Sequence, residues 1–467
     1  MKFPHRSSLV ALGALLSVAG SAQSQPPDVV QSDSAQNTAM GTGALRNLPA
    51  PSGEQGNTAA GYSALFSDTT GGANTAMGAN ALFFNTTGHY NSAFGRYTLY
   101  SNVSGDSNVG LGEEALFYNV SGSDNVAVGM YAMLHTASGF RNTAVGSHAL
   151  EKSTTSDNTA LGFLAMQQNS TGTGNTATGT TALLQNDVGN RNTATGMQTL
   201  YDNVNGNNNT ATGYNALYAN TDGSSNTAEG LEALRFNTRG YHNTATGADA
   251  LFTNTLGNEN TAFGFSALRS NTTGSRNVAV GLNAGSAITT GSNNVDVANS
   301  GAAGDTGVIR IGTSGTQTTT YIAGITTAHI AGSPVYVTST GQLGVLASSE
   351  RYKTGVVGVE SEAHRLQQLR PVRYYLKNDP SHALQYGLIA EEVERIYPEL
   401  VVRDAGGAVQ GVRYDELAPL LVKEMQRASA ELREVHQQLA DLMEANRRLT
   451  SQMAKIAMTQ PTGSTPR

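Results

Sequence analysis

Cysteine and tryptophan are both absent from the 467 residues. Without thiols the chain can form no disulfide, no thiolate metal site and no cysteine nucleophile. Charged residues make up only 13% and the net charge is −7. A nucleic-acid partner is not expected, because phosphate binding calls for a basic stripe. The histidines are scattered, no His-Glu-x-x-His pattern occurs, and no glycine-rich loop leads from a strand into a helix, so neither a metal nor a cofactor is expected. Aromatic residues are 6% of the chain. Few large apolar groups are available, so a conventional globule over the whole length is not expected. The length itself argues for several domains or a repeat array.

The charge that is present is unevenly placed. Residues 348–467 hold 16 Lys+Arg and 16 Asp+Glu, leaving 12 and 19 for the much longer part before Ser348. That step marks a domain boundary. At the other end, Lys2 and Arg6 precede an apolar, small-residue run from Ser8 to Gly20. The run is too short to span a bilayer and reads as a secretory signal, 1–24, rather than an ordinary N-terminal helix. Gly20-Ser21-Ala22 or Ala22-Gln23-Ser24 would suit signal peptidase. No later stretch is a membrane-span candidate, so the mature protein is expected to be secreted or at the cell surface.

Between these ends lies an internal repeat. Asn57-Thr58-Ala59-Ala60-Gly61 returns at Asn74, Asn91, Asn108, Asn125 and Asn142, then after one step of 16 at Asn158, and on to Asn294 in steps of 17. An irregular first copy begins at Asn37. The unit reads N-T-A-x-G-x-x-A-L-x-x-N-T-T-G-x-x, and a fixed period with fixed glycine is a solenoid signature. The fold class is therefore mainly β, with a 17-residue-repeat solenoid over 25–297. Thr or Val at the second place suits a strand, and the Ala-Leu pair supplies the one regular large apolar group, facing inward. The residues around it, such as Leu231 to Arg235, favour a helical turn. One strand plus a short helical turn per coil is thus expected, with a second strand as the alternative. The N-T-T-G run closes the coil with turn chemistry. The fourteen coils from Asn57 would stack to roughly 65–70 Å at about 4.8 Å each. The Asn columns either ladder their amides down the stack or merely tolerate the turn. So thin a core is expected to be completed by joining three chains.

Residues 298–347 change character. Gly307 to Ile311, Val335 to Thr338 and Leu343 to Leu346 cluster β-formers around glycines, which reads as a β-rich neck: an intertwined prism or a small sandwich. Beyond it, 348–427 reads as a small α+β domain. Tyr386 to Ala390 is a strand leading into a helix that Pro398 ends. Asp404 to Gly407 is a hairpin turn, and Asp415 caps a long helix. That helix carries Ala428, Leu432, Val435, Leu439, Leu442, Asn446, Leu449, Met453 and Ile456 at spacings of four and three. This is a coiled-coil seam over 428–458, with Asn446 fixing register. Residues 459–467 read as a disordered tail.

The array, residues 37–297, loosely resembles the head repeats of trimeric autotransporter adhesins. The C-terminal part carries Ser348-x-x-Arg351-x-Lys353, Gly387-Leu388-Ile389-Ala390-Glu391-Glu392-Val393 and Tyr414-Asp415-Glu416-Leu417-Ala418-Pro419-Leu420-Leu421. In that order they resemble the intramolecular chaperone domain of endosialidase-type phage tailspikes, over 348 to about 427. The resemblance implies a domain that drives trimerisation of the upstream fibre and then releases itself by cleavage before the serine. The family usually has Asp where this chain has Ser349, and often Gln where it has Glu391.

The implied site is Ser348 as nucleophile and Lys353 as base, with the cut between Ala347 and Ser348. A serine hydroxyl needs a base to take its proton, and lysine serves once burial lowers its pKa. Five residues do not by themselves bring the two together, so the chain must turn between them or each must meet its counterpart on a neighbouring copy. The expected protein is an exported homotrimeric fibre, adhesin-like, with a surface glycan or matrix ligand. A plain structural stalk and an ice-binding solenoid, the latter from the Thr176–Thr261 column, are the alternatives. The outward positions show no recurring aromatic or charged pocket.

Overall fold

The computed structural model describes residues 31–48, 55–322, 334–338, 340–359, 363–377, 379–404 and 406–458. The signal segment 1–24, the tail 459–467 and part of the neck lie outside them. The chain divides into two compact units after Tyr321.

The first unit is a β-solenoid. Each repeat contributes one three-residue strand, and these join an 18-stranded sheet that is parallel throughout except at its first strand. Register never slips. Thr193, Ala194 and Thr195 sit over Thr210, Ala211 and Thr212, and the next coil continues the columns. In most strands the middle residue is a buried alanine while its neighbours face outward, as the two-residue period of a strand requires. The glycine after the strand has φ of 130° to 143° through most of the array. A Cβ at Gly78 would sit 2.4 Å from the Gly95 carbonyl oxygen, so the stacking leaves room for no side chain there.

The second half of the coil is not helical. Glu232 and Leu234 both take positive φ, 56° and 52°. That alternation turns successive N–H groups to opposite neighbours: Glu232 donates back to Tyr214, Leu234 forward to Ala250. A helix would satisfy the same donors within the coil. Here the coil-to-coil bonds win, which overrides the local propensity of Leu231 to Arg235. The leucine still points inward. Leu65, Leu82, Leu99, Leu116 and their counterparts, with Met133 and Met166 substituting, are fully buried in one continuous core with the alanines.

Both asparagine columns are buried ladders. In the first, Asn209 Oδ1 accepts the Asn226 backbone N–H at 3.0 Å and its Nδ2 at 3.2 Å, while Asn226 Nδ2 also donates to the Gly240 carbonyl at 2.8 Å. In the second, Asn220 Nδ2 donates to Asn203 Oδ1 at 2.7 Å, and Asn237 Nδ2 to Asn220 Oδ1 at 2.8 Å. This column breaks where Thr136 and Ser153 replace asparagine, beside the 16-residue coil that opens at Asn142. The consequences are local. Asn119 Oδ1, just before the break, and Asn271 Oδ1, just before Ile288 ends the column, are buried without a hydrogen-bond donor.

The array runs beyond residue 297. Val295–Val297 pairs in parallel with Ile309–Ile311, and Val308 N–H donates to Asn294 Oδ1 at 3.0 Å. The Gly307 to Ile311 run, read from sequence as neck, therefore belongs to the last coil. Both ends are capped with polar groups, as terminal repeats require. At the end of the array Asp296 occupies the alanine slot beside Arg310, whose guanidinium holds Asp305 at 2.6 and 2.8 Å. At the start Asp33 Oδ1 accepts the N–H groups of Ala35 and Asn37, both at 2.9 Å.

In the second unit, the described residues of the neck include an antiparallel hairpin, Tyr336–Val337 with Leu343–Gly344. Val372–Tyr374 pairs with Gln385–Gly387, and Val401–Arg403 with Val409–Val412. Helix α1 spans Ala390–Ile396 and stops before Pro398. Asp404 Oδ1 accepts the Gly406 and Ala408 N–H groups and shapes the expected hairpin turn. Val393, Tyr397, Leu400, Val401 and Leu417 form a small core. Helix α2 spans Tyr414–Met458. It begins one residue earlier than its expected cap, so Asp415 lies in the first turn.

Two predictions follow from the ladders and the core. Asp68 stands in an asparagine slot, and burial pushes its carboxyl up to about 7 despite amide donors from Asn57 and Asn85 at 3.1 Å. A raised folded-state pKa means stability is full below about pH 4 and is lost as pH rises toward about 7. Asp68→Asn should therefore raise the melting temperature at pH 8 and change it little at pH 4, as followed by circular dichroism. Gly110 stands in the buried alanine column, and a Cβ there would lie 2.4 Å from Thr98 Cγ2, itself in an alanine slot. Gly110→Ala should destabilise by about 1–3 kcal/mol, and Thr98→Ala in the same chain should recover most of it. Equal loss in single and double variants would contradict this pairing.

Candidate functional site: the junction at Ser348

The junction is a short 3-10 turn between two extended ends. Ser349 is extended at the turn's start (φ −66°, ψ 140°), Glu350–Tyr352 forms the turn, and Lys353 is extended again (φ −116°, ψ 145°). Tyr352 N–H donates to the Ser349 carbonyl at 3.0 Å and Lys353 N–H to that of Glu350 at 2.9 Å. The Arg351 guanidinium lies 4.7 Å from the Tyr352 ring centre. The chain thus does turn between Ser348 and Lys353.

The turn does not join them into a working pair within one chain. Ala347, Ser348 and Lys353 are all exposed. Among the described residues, no hydrogen bond links the Ser348 hydroxyl to the Lys353 amine. The apolar residues around the bond are exposed as well: Val345, Leu346, Tyr352, Val356 and Val357, the last at 85%.

Downstream, the other two sequence segments meet. Tyr414 hydroxyl oxygen accepts the Leu388 N–H at 2.8 Å, tying the start of α2 to the strand that leads into α1. Arg370 Nε donates to Glu392 at 3.1 Å, and this guanidinium holds the Glu392 carboxyl below its usual range. Arg365 donates to the Ile396 carbonyl at 2.8 Å and lies over the Tyr397 ring, 4.5 Å from its centre. Beyond this core α2 buries nothing: Leu432, Val435, Leu439, Leu442, Leu449, Met453 and Ile456 are each more than half exposed. The apolar seam exists as a stripe, and one chain does not cover it.

The array shows a feature that reading outward positions from sequence had missed. Phe66, Phe83, Tyr100 and Phe117 form a stacked aromatic column, with ring centres 5.0, 5.3 and 5.0 Å apart. Phe84 and Tyr118 stand edge-on beside it. The signal was present as aromatics two positions before the T-T-G asparagine in successive repeats. It stops after the fourth coil from Asn57, and Leu134 and Glu151 take the place in the next two. Among the described residues no cluster of metal-ligating side chains occurs, and no helix is long and apolar enough to cross a membrane.

Together these parts define a β-solenoid followed by a small α+β unit with a long, unpaired C-terminal helix. Residues 348–402 match the family described as chaperone of endosialidase, and the match begins at the serine of the junction. Searches of curated proteins and of solved structures returned no significant match.

Ser349→Ala tests whether the two adjacent serines are distinct. Its hydroxyl makes no capping bond to the turn, so the variant should keep any cut seen in the wild type at the same place, read by intact mass.

Proposed function

We propose that the protein is an exported, homotrimeric, tail-fibre-like surface protein, assembled by its C-terminal segment, which then releases itself by cutting between Ala347 and Ser348. The observation that carries this reading is the uncovered apolar stripe of α2 downstream of a chaperone-of-endosialidase match. A heptad stripe gains stability only by packing against other helices. The solenoid supports the same reading. Its strand face turns outward a second apolar set, Met77, Phe94, Leu111, Val145 and Leu161, each more than a third exposed. Three copies packed along this face would cover it. The ice-binding alternative is weaker on this account, because the same face also carries its threonines.

In the cleavage step the Ser348 hydroxyl oxygen bonds to the Ala347 carbonyl carbon as its proton passes to the Lys353 amine. The Ala347–Ser348 amide bond breaks, and the Ser348 nitrogen takes that proton and becomes an amine. Water then hydrolyses the resulting ester, giving an Ala347 carboxylate and restoring the serine hydroxyl. The solenoid is the lasting product, and a surface glycan or matrix component is its expected ligand.

Two experiments test this. Ser348→Ala should abolish the cut, Lys353→Ala should slow it strongly or stop it, and Lys353→Arg should not restore it, because guanidinium does not give up its proton. Intact mass spectrometry reads the outcome, and cleavage persisting in Ser348→Ala would remove the dyad. Separately, Leu439→Glu with Leu442→Glu should leave the solenoid's circular dichroism intact while abolishing assembly. Normal assembly of that variant would show the helix stripe to be dispensable.

A further inference from the structure

We infer that the aromatic face of the solenoid carries a binding notch for a neutral pyranose sugar, floored by Ser101 and walled by Phe84 and Tyr118. This rests on the surface-glycan reading above and deepens it by naming the site and the class of sugar.

Three observations converge. First, the outer aromatic column has a gap. Phe84, Ser101, Tyr118 and His135 hold the same place in four successive coils, and at Ser101 a small hydroxyl stands where its neighbours carry a ring. Phe84 is 44% and Tyr118 47% exposed. The inner column steps 5.3 and 5.0 Å from Phe83 to Tyr100 to Phe117 over the same interval, so the two outer rings stand roughly 10 Å apart. Second, both walls are supported by other rings. Phe84 is braced edge-on by Phe83 at 4.8 Å and by Tyr100 at 5.1 Å. His135 covers one face of Tyr118, 5.1 Å away and 7° from parallel, which leaves the opposite face on the Ser101 side. Among the described residues, no hydrogen bond engages the hydroxyls of Ser101 and Tyr118. Third, the inner and outer columns carry no Asp, Glu, Lys or Arg from Phe66 to His135.

These features select the occupant. Carbon contacts form at about 3.5–4 Å, so a flat ring between two walls would fill only about 7–8 Å. A pyranose is thicker, because it is puckered and carries hydrogens on both sides. Its C–H groups suit the negative faces of aromatic rings. Its rim of hydroxyls matches the unengaged hydroxyls of Ser101 and Tyr118. A nucleic-acid strand would need cations beside the rings, and these columns have none. An acidic sugar lacks a counter-charge here for the same reason, so the sugar is neutral.

The test is isothermal titration calorimetry on the full-length protein. Cellohexaose, maltohexaose and chitohexaose are the neutral probes, and a hexamer of galacturonic acid is the acidic one. At least one neutral probe should bind, and the acidic one should not. Phe84→Ala and Tyr118→Ala should each weaken that binding about tenfold. Ser101→Tyr fills the notch without removing aromatic surface and should abolish binding. Native mass spectrometry should count the same number of copies per particle in all three variants. If the neutral probe binds all three as it binds the wild type, or only the acidic probe binds, a glycan remains the ligand but this site is overturned. If no probe binds, the inference and the glycan reading fail together. If Ser101→Tyr raises the number of copies per particle, the aromatic row is a contact between copies and the inference is overturned.

Discussion

Most coils of the solenoid place two side-chain amides under those of the next, and most of the structure depends on that stacking. A buried amide left without a partner costs about 1–3 kcal/mol. An inserted or lost residue between successive asparagines would disrupt a whole column unless the turn absorbs it. The 16-residue coil shows where absorption is possible. It falls in the Thr154–Thr155 turn, where Ser153 has replaced the ladder asparagine and Thr155 donates to the Gly172 carbonyl in its place. The glycines answer to the same requirement, since coils close enough to share amides leave no space for a Cβ between Gly78 and Gly95. The core is thin because the spacing leaves little to fill: alanine on the strand, leucine on the turn.

A fold of this kind stabilises itself along the stack but not across it. Each coil satisfies its backbone with its two neighbours, yet the outward strand face keeps methionine, phenylalanine, leucine and valine in water over part of its length. The C-terminal unit has a related imbalance. Its core of Val393, Tyr397, Leu400, Val401 and Leu417 closes within one chain, while the helix that grows from it presents apolar residues to nothing. The two units thus ask separately for further copies. At the junction Ser348 and Lys353 are likewise exposed in the single chain.

The period, the inward alanine and leucine, and the turn glycines were legible in the sequence because each is a repeated steric demand. The hairpin at Asp404 and the stop before Pro398 were legible as local turn and helix-end chemistry. The helical turn was not borne out. Leu231 to Arg235 have helix-forming side chains, but coil-to-coil hydrogen bonding selects alternating positive φ instead. The end of the array was also misplaced, because Val295 to Val297 and Ile309 to Ile311 are 14 residues apart rather than 17 and lack the repeated motif. The Asn columns could be seen as columns, but that they are buried ladders required the side-chain geometry. The Ser348–Lys353 pair was singled out only through the order of its own segment and two downstream ones. What the sequence could not show was that the turn between them leaves both in solvent.

The most direct measurement is the stoichiometry of the uncut chain. Native mass spectrometry of the full-length Ser348→Ala protein, at micromolar concentration and without crosslinker, separates assembly from cleavage. The account predicts three copies per particle. A monodisperse single chain, folded by circular dichroism, would contradict it.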